Sequence, residues 1–344
     1  MKIALIGNNQ YSVYPPNNVI DAGLYMMGLI TEELLKRQNQ VFTFSPSVRN
    51  INPTQNIRSK LNGFFTDIPL SEWKQAGQWA KIYSLMTYDS DLYMEMLQNN
   101  SIENVDLIHI HESPFVITLP FLRLIKQPKL FTIHTTLDRI DEKIFLNFQQ
   151  CYPNLNNCYF SFISKNQASN SLITNDSNHF TTYHGIKLEL FPFNIQPENY
   201  ITFVGRLNKD KGPDIAIRVA NKLGKKIVVT GRESTNDTHY LSDVIQPLIN
   251  KNTIIDTNVN HKTIPMVFRN AKLFLFPLQW NEPFGLVMIE SMATGTPVIA
   301  FARGSVPEII KDGETGFIIN PSDDDIRGNF IIKKTGFEGL CEAV

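Results

Sequence analysis

Short apolar runs alternate with helical patterns along nearly the whole chain, and this rhythm restricts the possible folds more than any other feature. Ile3 to Ile6, Val41 to Phe44, Val105 to Ile110, Lys129 to Ile133 and Tyr159 to Ile163 read as buried strands. Leu29 to Lys36, Trp73 to Leu97 and Phe115 to Ile125 read as helices between them. The second half repeats the scheme. Tyr200 to Val204, Lys226 to Thr230, Leu273 to Phe276 and Val298 to Phe301 are strands. Pro213 opens a helix that runs to Gly224, with proline at the first position and glycine just past the end. Ser305 looks like the cap of a further helix. Such alternation predicts an α/β fold with parallel sheets covered on both faces. A chain of 344 residues suits two doubly wound domains. The stretch from Lys187 to Asn199, with Pro192 and Pro197, reads as the linker. The expected domains are therefore 1–186 and 200–344, facing a cleft.

Composition removes several classes of function. Net charge is −1 and no Lys/Arg block occurs, which argues against a nucleic-acid partner. Cys151, Cys158 and Cys341 are an odd set without zinc spacing, as expected of a reduced, cytoplasmic protein. Met1 to Ile6 is too short for a secretion signal, and no apolar run approaches the roughly 20 residues of an integral membrane segment.

The densest polar pattern is Glu282-Pro283-Phe284-Gly285-Leu286-Val287-Met288-Ile289-Glu290. It reads as a loop carboxylate, a turn over Phe284-Gly285, and a short helix with Glu290 on its second turn. The free N–H groups of that helix are expected to point toward Glu282. Donors beside an acceptor suit a polyhydroxylated ligand. Upstream, Gly205 and Arg206 to Gly212 place Arg206 and Lys211 in a strand-to-helix loop, a setting that favours phosphate. A solvated basic loop is the bland alternative, and for Glu290 it is an exposed helix residue. Neither Gly7 nor Gly205 begins a Walker or Gly-x-Gly-x-x-Gly pattern. A sugar nucleotide reconciles these groups: Glu282 accepts from sugar hydroxyls, Glu290 from the ribose, and Arg206 and Lys211 stabilise charge on the departing diphosphate.

His134 ends a strand and could donate to a sugar hydroxyl or a developing oxyanion. His109 and His111 share a face by period two. His109 reads as a satisfied buried histidine, and a metal pair lacks a third ligand, because Glu112 falls on the other face. Asp323-Asp324-Asp325 reads as a solvated loop. Asn8, His109, His111, His134, Arg206 and Glu282 all stand at expected strand ends, where ligands bind in such sheets.

The assembled pattern resembles the family 4 retaining glycosyltransferases of the GT-B type. Arg206 and Lys211 match that family's phosphate-binding pair, and Glu282 to Glu290 its two glutamates separated by seven residues. Gly295-Thr296-Pro297-Val298, Gly304 to Glu308 and Asp312-Gly313 through Phe317 match its downstream signature. His134, Ser164 to Gln167 and Tyr183 to Ile186 match weaker signatures. The resemblance implies two Rossmann-like domains, donor on the second and acceptor on the first, transfer with retention, and no metal or other cofactor. It implies catalytic roles for Glu282, His134, Arg206 and Lys211. Donor contacts would come from Arg206, Lys211, Glu282, Phe284, Gly285, Leu286 and Glu290. The subgroup it most resembles uses UDP-glucose; the acceptor would be a small molecule, a glycan or a lipid. Two departures stand out. A diglycine usual in the first loop is replaced by Ala22-Gly23, beside Asp21, which would repel a diphosphate unless paired. Family members also continue past the position of Val344, so the resemblance implies a truncated second domain. The rival reading is a sugar-nucleotide-binding pseudoenzyme or partner-dependent subunit.

Overall fold

The computed structural model describes residues 1–16, 19, 21–99, 102–111, 115–175, 178–233 and 239–344. The chain divides into two compact units, Met1–Tyr183 and His184–Val344. In the first unit the strands are β1 (Lys2–Ile6), β2 (Gln40–Phe44), β3 (Gln55–Ile57), β4 (Leu107–Ile110), β5 (Lys129–Ile133), β6 (Cys158–Phe162) and β7 (His179–Thr181). They form one parallel sheet in the order β3-β2-β1-β4-β5-β6-β7. Its helices are α1 (Ala22–Lys36), α2 (Phe64–Asp67), α3 (Leu70–Gln75), α4 (Gln78–Gln98), α5 (Leu119–Leu122), α6 (Arg139–Cys151) and α7 (Lys165–Ser169).

The second unit contains β8 (Ile201–Val204), β9 (Ile227–Thr230), β10 (Thr253–Asp256), β11 (Leu273–Phe276), β12 (Val298–Phe301) and β13 (Gly316–Ile319). These are parallel, in the order β10-β9-β8-β11-β12-β13. Its helices are α8 (Pro213–Lys222), α9 (Ile264–Asn270), α10 (Leu286–Ala293), α11 (Val306–Ile309) and α12 (Gly336–Ala343). Both sheets are Rossmann-like. Every residue of β8, β11 and β12 is buried, which is why these strands read as continuous apolar runs rather than alternating ones. Each unit has its own core, built around Tyr93, Phe131, Phe160 and Phe162 in the first and around Phe203, Phe268, Phe274 and Phe276 in the second. Each such ring contributes about 1.5–3 kcal/mol through burial.

Strand order reverses direction between β1 and β4 in the first sheet, and between β8 and β11 in the second. At such a switch point neighbouring connections leave toward opposite faces, opening a crevice at the carboxyl ends of the strands. The fold thus sets one crevice in each unit.

Several elements differ from expectation for local reasons. Helix α1 begins at Ala22 rather than Leu29, because the Asp21 side chain accepts from the Leu24 N–H and caps it. The helix expected over Trp73 to Leu97 is broken, since Ala76 and Gly77 are extended between α3 and α4. Phe115 to Ile125 yields a 3-10 turn over Phe115–Thr118 and the single turn of α5. Ser305 precedes α11 but gives no side-chain cap; its hydroxyl donates to the Phe284 carbonyl at 2.7 Å. Residues 187–199, read from the sequence as the linker, make backbone bonds to the second unit. There the Asn194 N–H donates to Thr294 O at 2.9 Å and the Glu198 N–H to Asn270 O at 2.8 Å.

Candidate functional site

Each crevice is lined by residues that the sequence singles out. In the first unit, the N-terminus of α1 meets the ends of β4 and β5. The Asp21 carboxylate accepts from the Leu24 N–H at 2.9 Å and also bonds the Gly23 N–H and the Asn8 side chain. Burial raises its pKa and those three donors oppose the rise. Asp21 therefore has partners of its own, which answers the repulsion expected of an unpaired carboxylate. Ala22 is the first residue of the helix. Gly23 packs so closely that a Cβ there would stand 3.1 Å from His111 O and 3.3 Å from His134 Cδ2.

His134 follows β5 directly, and its Nε2 lies 2.9 Å from His111 Nδ1. The His111 ring in turn lies 4.1 Å, centroid to centroid, from that of His109. His109 is buried and bonded to Thr132 Oγ1 at 2.8 Å, and burial pushes its pKa down to about 4. It is a neutral structural imidazole. The backbone around His134 is braced from α7: the Gln167 amide donates to Ile133 O and Thr135 O at 3.0 and 2.8 Å. Glu112 lies outside the described residues. Among the described residues no group of three or more His, Cys, Asp or Glu is placed to hold a metal ion.

In the second unit the crevice lies between the loop after β8 and the loop after β11. The two loops are joined by the Gln279 N–H, which donates to Asp210 O at 2.8 Å. Lys211 and Glu282 sit on opposite sides and form an ion pair, though 71 positions apart in the chain. The Trp280 indole N–H donates to the same oxygen, Glu282 Oε2, at 3.0 Å. The Lys211 ammonium stands 4.8 Å from the Trp280 ring centroid and 5.7 Å from that of Phe276, a cation–π arrangement. The bonds to the Glu282 carboxylate thus come from Lys211 and Trp280.

Two glycines hold this geometry. Gly212 has φ 72°, and a Cβ there would lie 2.3 Å from Pro277 O. A side chain would force the loop after β8 away from the loop after β11. Gly304 has φ 59°, and its Cβ would lie 2.2 Å from Glu282 O. The next residue, Ser305, donates its N–H to that carbonyl at 2.9 Å.

The remaining expected residues are distributed as follows. Arg206 is exposed and has no ion-pair partner among the described residues. Gly285 takes the N-cap position of α10 with φ 79°, and Leu286 is the first helical residue. Phe284 is buried, with its ring 5.2 Å from that of His184, so its side chain belongs to the core and only its backbone is available to a ligand. Glu290 lies on the second turn of α10, partly buried, and burial pushes its carboxyl up to about 7. Asp325 is not simply solvated: it pairs with Arg327 at 2.7 Å and with Arg303 at 3.5 Å. Sequence reasoning missed Trp280 as part of the site in the second unit. For Trp280 the available signal was a lone indole two residues before a loop carboxylate.

Comparison with known proteins finds similarity in sequence to part of the chain and in fold to nearly all of it. Residues 188–328 match the family described as Glycosyl transferases group 1. D-inositol 3-phosphate glycosyltransferase of Mycobacterium bovis (strain BCG / Pasteur 1173P2) is 34% identical over 128 residues, covering 36% of this chain and 26% of the relative. The matched region thus spans about a quarter of the curated relative's length. Among solved structures, sucrose-phosphate synthase from Thermosynechococcus elongatus aligns with TM-score 0.70 at 18% identity, covering 100% of this chain and 88% of that one. The Anabaena protein HepE, solved in complex with UDP and glucose, aligns with TM-score 0.64 at 15% identity, covering 94% and 87%. The chain has the GT-B fold of these solved structures, and its residues 188–328 are similar to the group 1 glycosyl transferases.

Proposed function

We propose that the protein transfers a sugar from a nucleoside-diphosphate sugar to an acceptor, with retention of anomeric configuration, and that UDP-glucose is the donor. The carrying observation is the convergence of Lys211 and Glu282 in the crevice at the β8/β11 switch point. A cation and a carboxylate from distant segments meet where ligands of such sheets bind. Arg206, exposed at the rim, and Lys211 neutralise the diphosphate as it leaves. Glu282 accepts from sugar hydroxyls, and Glu290 accepts from a ribose hydroxyl. Gly285 and the free N–H groups at the start of α10 face the same ligand. On the first unit, Ala22, Gly23 and His134 bind the acceptor side, with His134 donating to a hydroxyl. The acceptor is a small molecule, a glycan or a lipid. Transfer needs no metal in this reading. All three cysteines are free, in keeping with work in the cytoplasm.

The test is the release of UDP from UDP-glucose across a panel of acceptors, with product stereochemistry read by NMR. Turnover with a retained anomer is expected, and Arg206→Ala should cut the rate at least about tenfold. UDP-glucose binding without turnover on any acceptor would favour a sugar-nucleotide-binding subunit instead.

A further inference from the structure

Glu282 carries two hydrogen bonds on one oxygen. Lys211 Nζ and Trp280 Nε1 both donate to Oε2, while Oε1 accepts no hydrogen bond among the described residues. The Glu282 side chain keeps 11% of its surface open to solvent. One oxygen is therefore anchored and the other is offered.

The two anchors differ in kind. Lys211 is a point charge at the end of a flexible stem, reaching from the loop after β8. Trp280 is a rigid planar donor on the same loop as Glu282, with its ring packed against the core of the second unit. A diphosphate arriving in this crevice carries more negative charge than one carboxylate, so it draws the ammonium away. The indole does not follow, because it carries no charge and its ring is held by packing against the core of the second unit.

We propose that Trp280 is a positioning residue for Glu282, and that the Lys211–Glu282 pair is a resting contact which the diphosphate of the donor opens. Once Lys211 has moved, the indole N–H alone keeps the carboxylate from rotating, so Oε1 stays aimed at the sugar. Lys211 moves across the aromatic faces of Trp280 and Phe276, which favour a cation along the way. This inference rests on the donor reading above and adds to it the residue that fixes the sugar-facing carboxylate.

Trp280→Phe keeps the ring and removes the N–H. Calorimetric titration with UDP and with UDP-glucose separates the two functions. We expect UDP affinity within about threefold of the parent, and UDP-glucose affinity reduced at least about tenfold, since a hydrogen bond to a charged group has been lost. Trp280 can also report directly. The chain has three tryptophans, so Trp73→Phe with Trp79→Phe leaves Trp280 as the sole emitter. UDP should change its emission as the ammonium departs, and Lys211→Met should abolish that change. Equal losses for UDP and UDP-glucose in Trp280→Phe, or an emission change that survives Lys211→Met, would overturn the inference while leaving nucleotide binding intact. A parent that binds neither UDP nor UDP-glucose would overturn the donor reading itself. Melting temperatures of the variants separate misfolding from loss of positioning.

Discussion

Glu290 carries a testable electrostatic signature. Burial holds its carboxyl near pH 7, well above its ordinary value of 4.5. The folded state therefore binds this proton more tightly than the unfolded state does. Stability from this group is full below about pH 4.5 and is lost as pH rises through about 7, at up to about 1.4 kcal/mol per pH unit. Glu290→Gln should flatten that part of the melting-temperature profile between pH 5 and 7.5, measured against the parent in the same buffers. Identical profiles would mean that Glu290 is already ionised across this range. If a ribose hydroxyl donates to Glu290, as proposed, nucleotide binding near pH 6.5 must also release protons, which calorimetry in buffers of different ionisation enthalpy detects. At the same scale, Glu282 and Lys211 could each be singled out from their local sequence, but their pairing could not. Contact between residues 71 positions apart depends on how β8 and β11 are laid side by side, and no local pattern encodes that.

Helix termini set the site at the scale of elements. Gly212 ends the loop after β8 and precedes Pro213, the first residue of α8. Its positive φ and its closeness to Pro277 O exclude a side chain. Gly212→Ala should cost about 2–4 kcal/mol and weaken nucleotide binding, because it parts the loops that carry Lys211 and Glu282. Thermal denaturation and a UDP titration check both effects, and an unchanged melting temperature would contradict the steric argument. Elements with strong apolar runs were legible in advance. The strand Lys129–Ile133 was read with its bounds, and so was Leu273–Phe276. Strands β3, β10 and β13 were not expected, since each is short and stands at an edge of its sheet. The start of α1 was missed because Asp21 was weighed as a charge near a ligand rather than as a cap. Ser305 was taken for a cap on residue type alone, yet its hydroxyl is spent on the Phe284 carbonyl.

At the scale of the molecule, two parallel sheets place two polar constellations at two switch points. The sequence carried the sheet type, because parallel strands buried on both faces leave continuous apolar runs. It carried less of the strand order, which comes from connections and packing rather than from composition. The family match over residues 188–328 falls in the second unit, where Arg206, Lys211, Glu282 and Glu290 all reside. Among the described residues no helix is long and apolar enough to cross a membrane.

The central claim is that the loops after β8 and β11 together grip a nucleoside diphosphate through Lys211, Arg206 and Glu290. Isothermal titration of the whole chain with UDP, GDP and ADP, repeated for the Arg206→Ala/Lys211→Met double variant, tests it most directly. The account predicts saturable binding of UDP to the parent and a loss of at least about a hundredfold in the double variant, since two charge-assisted contacts disappear. Absence of binding by all three nucleotides, or binding that survives the loss of both cations, would contradict it.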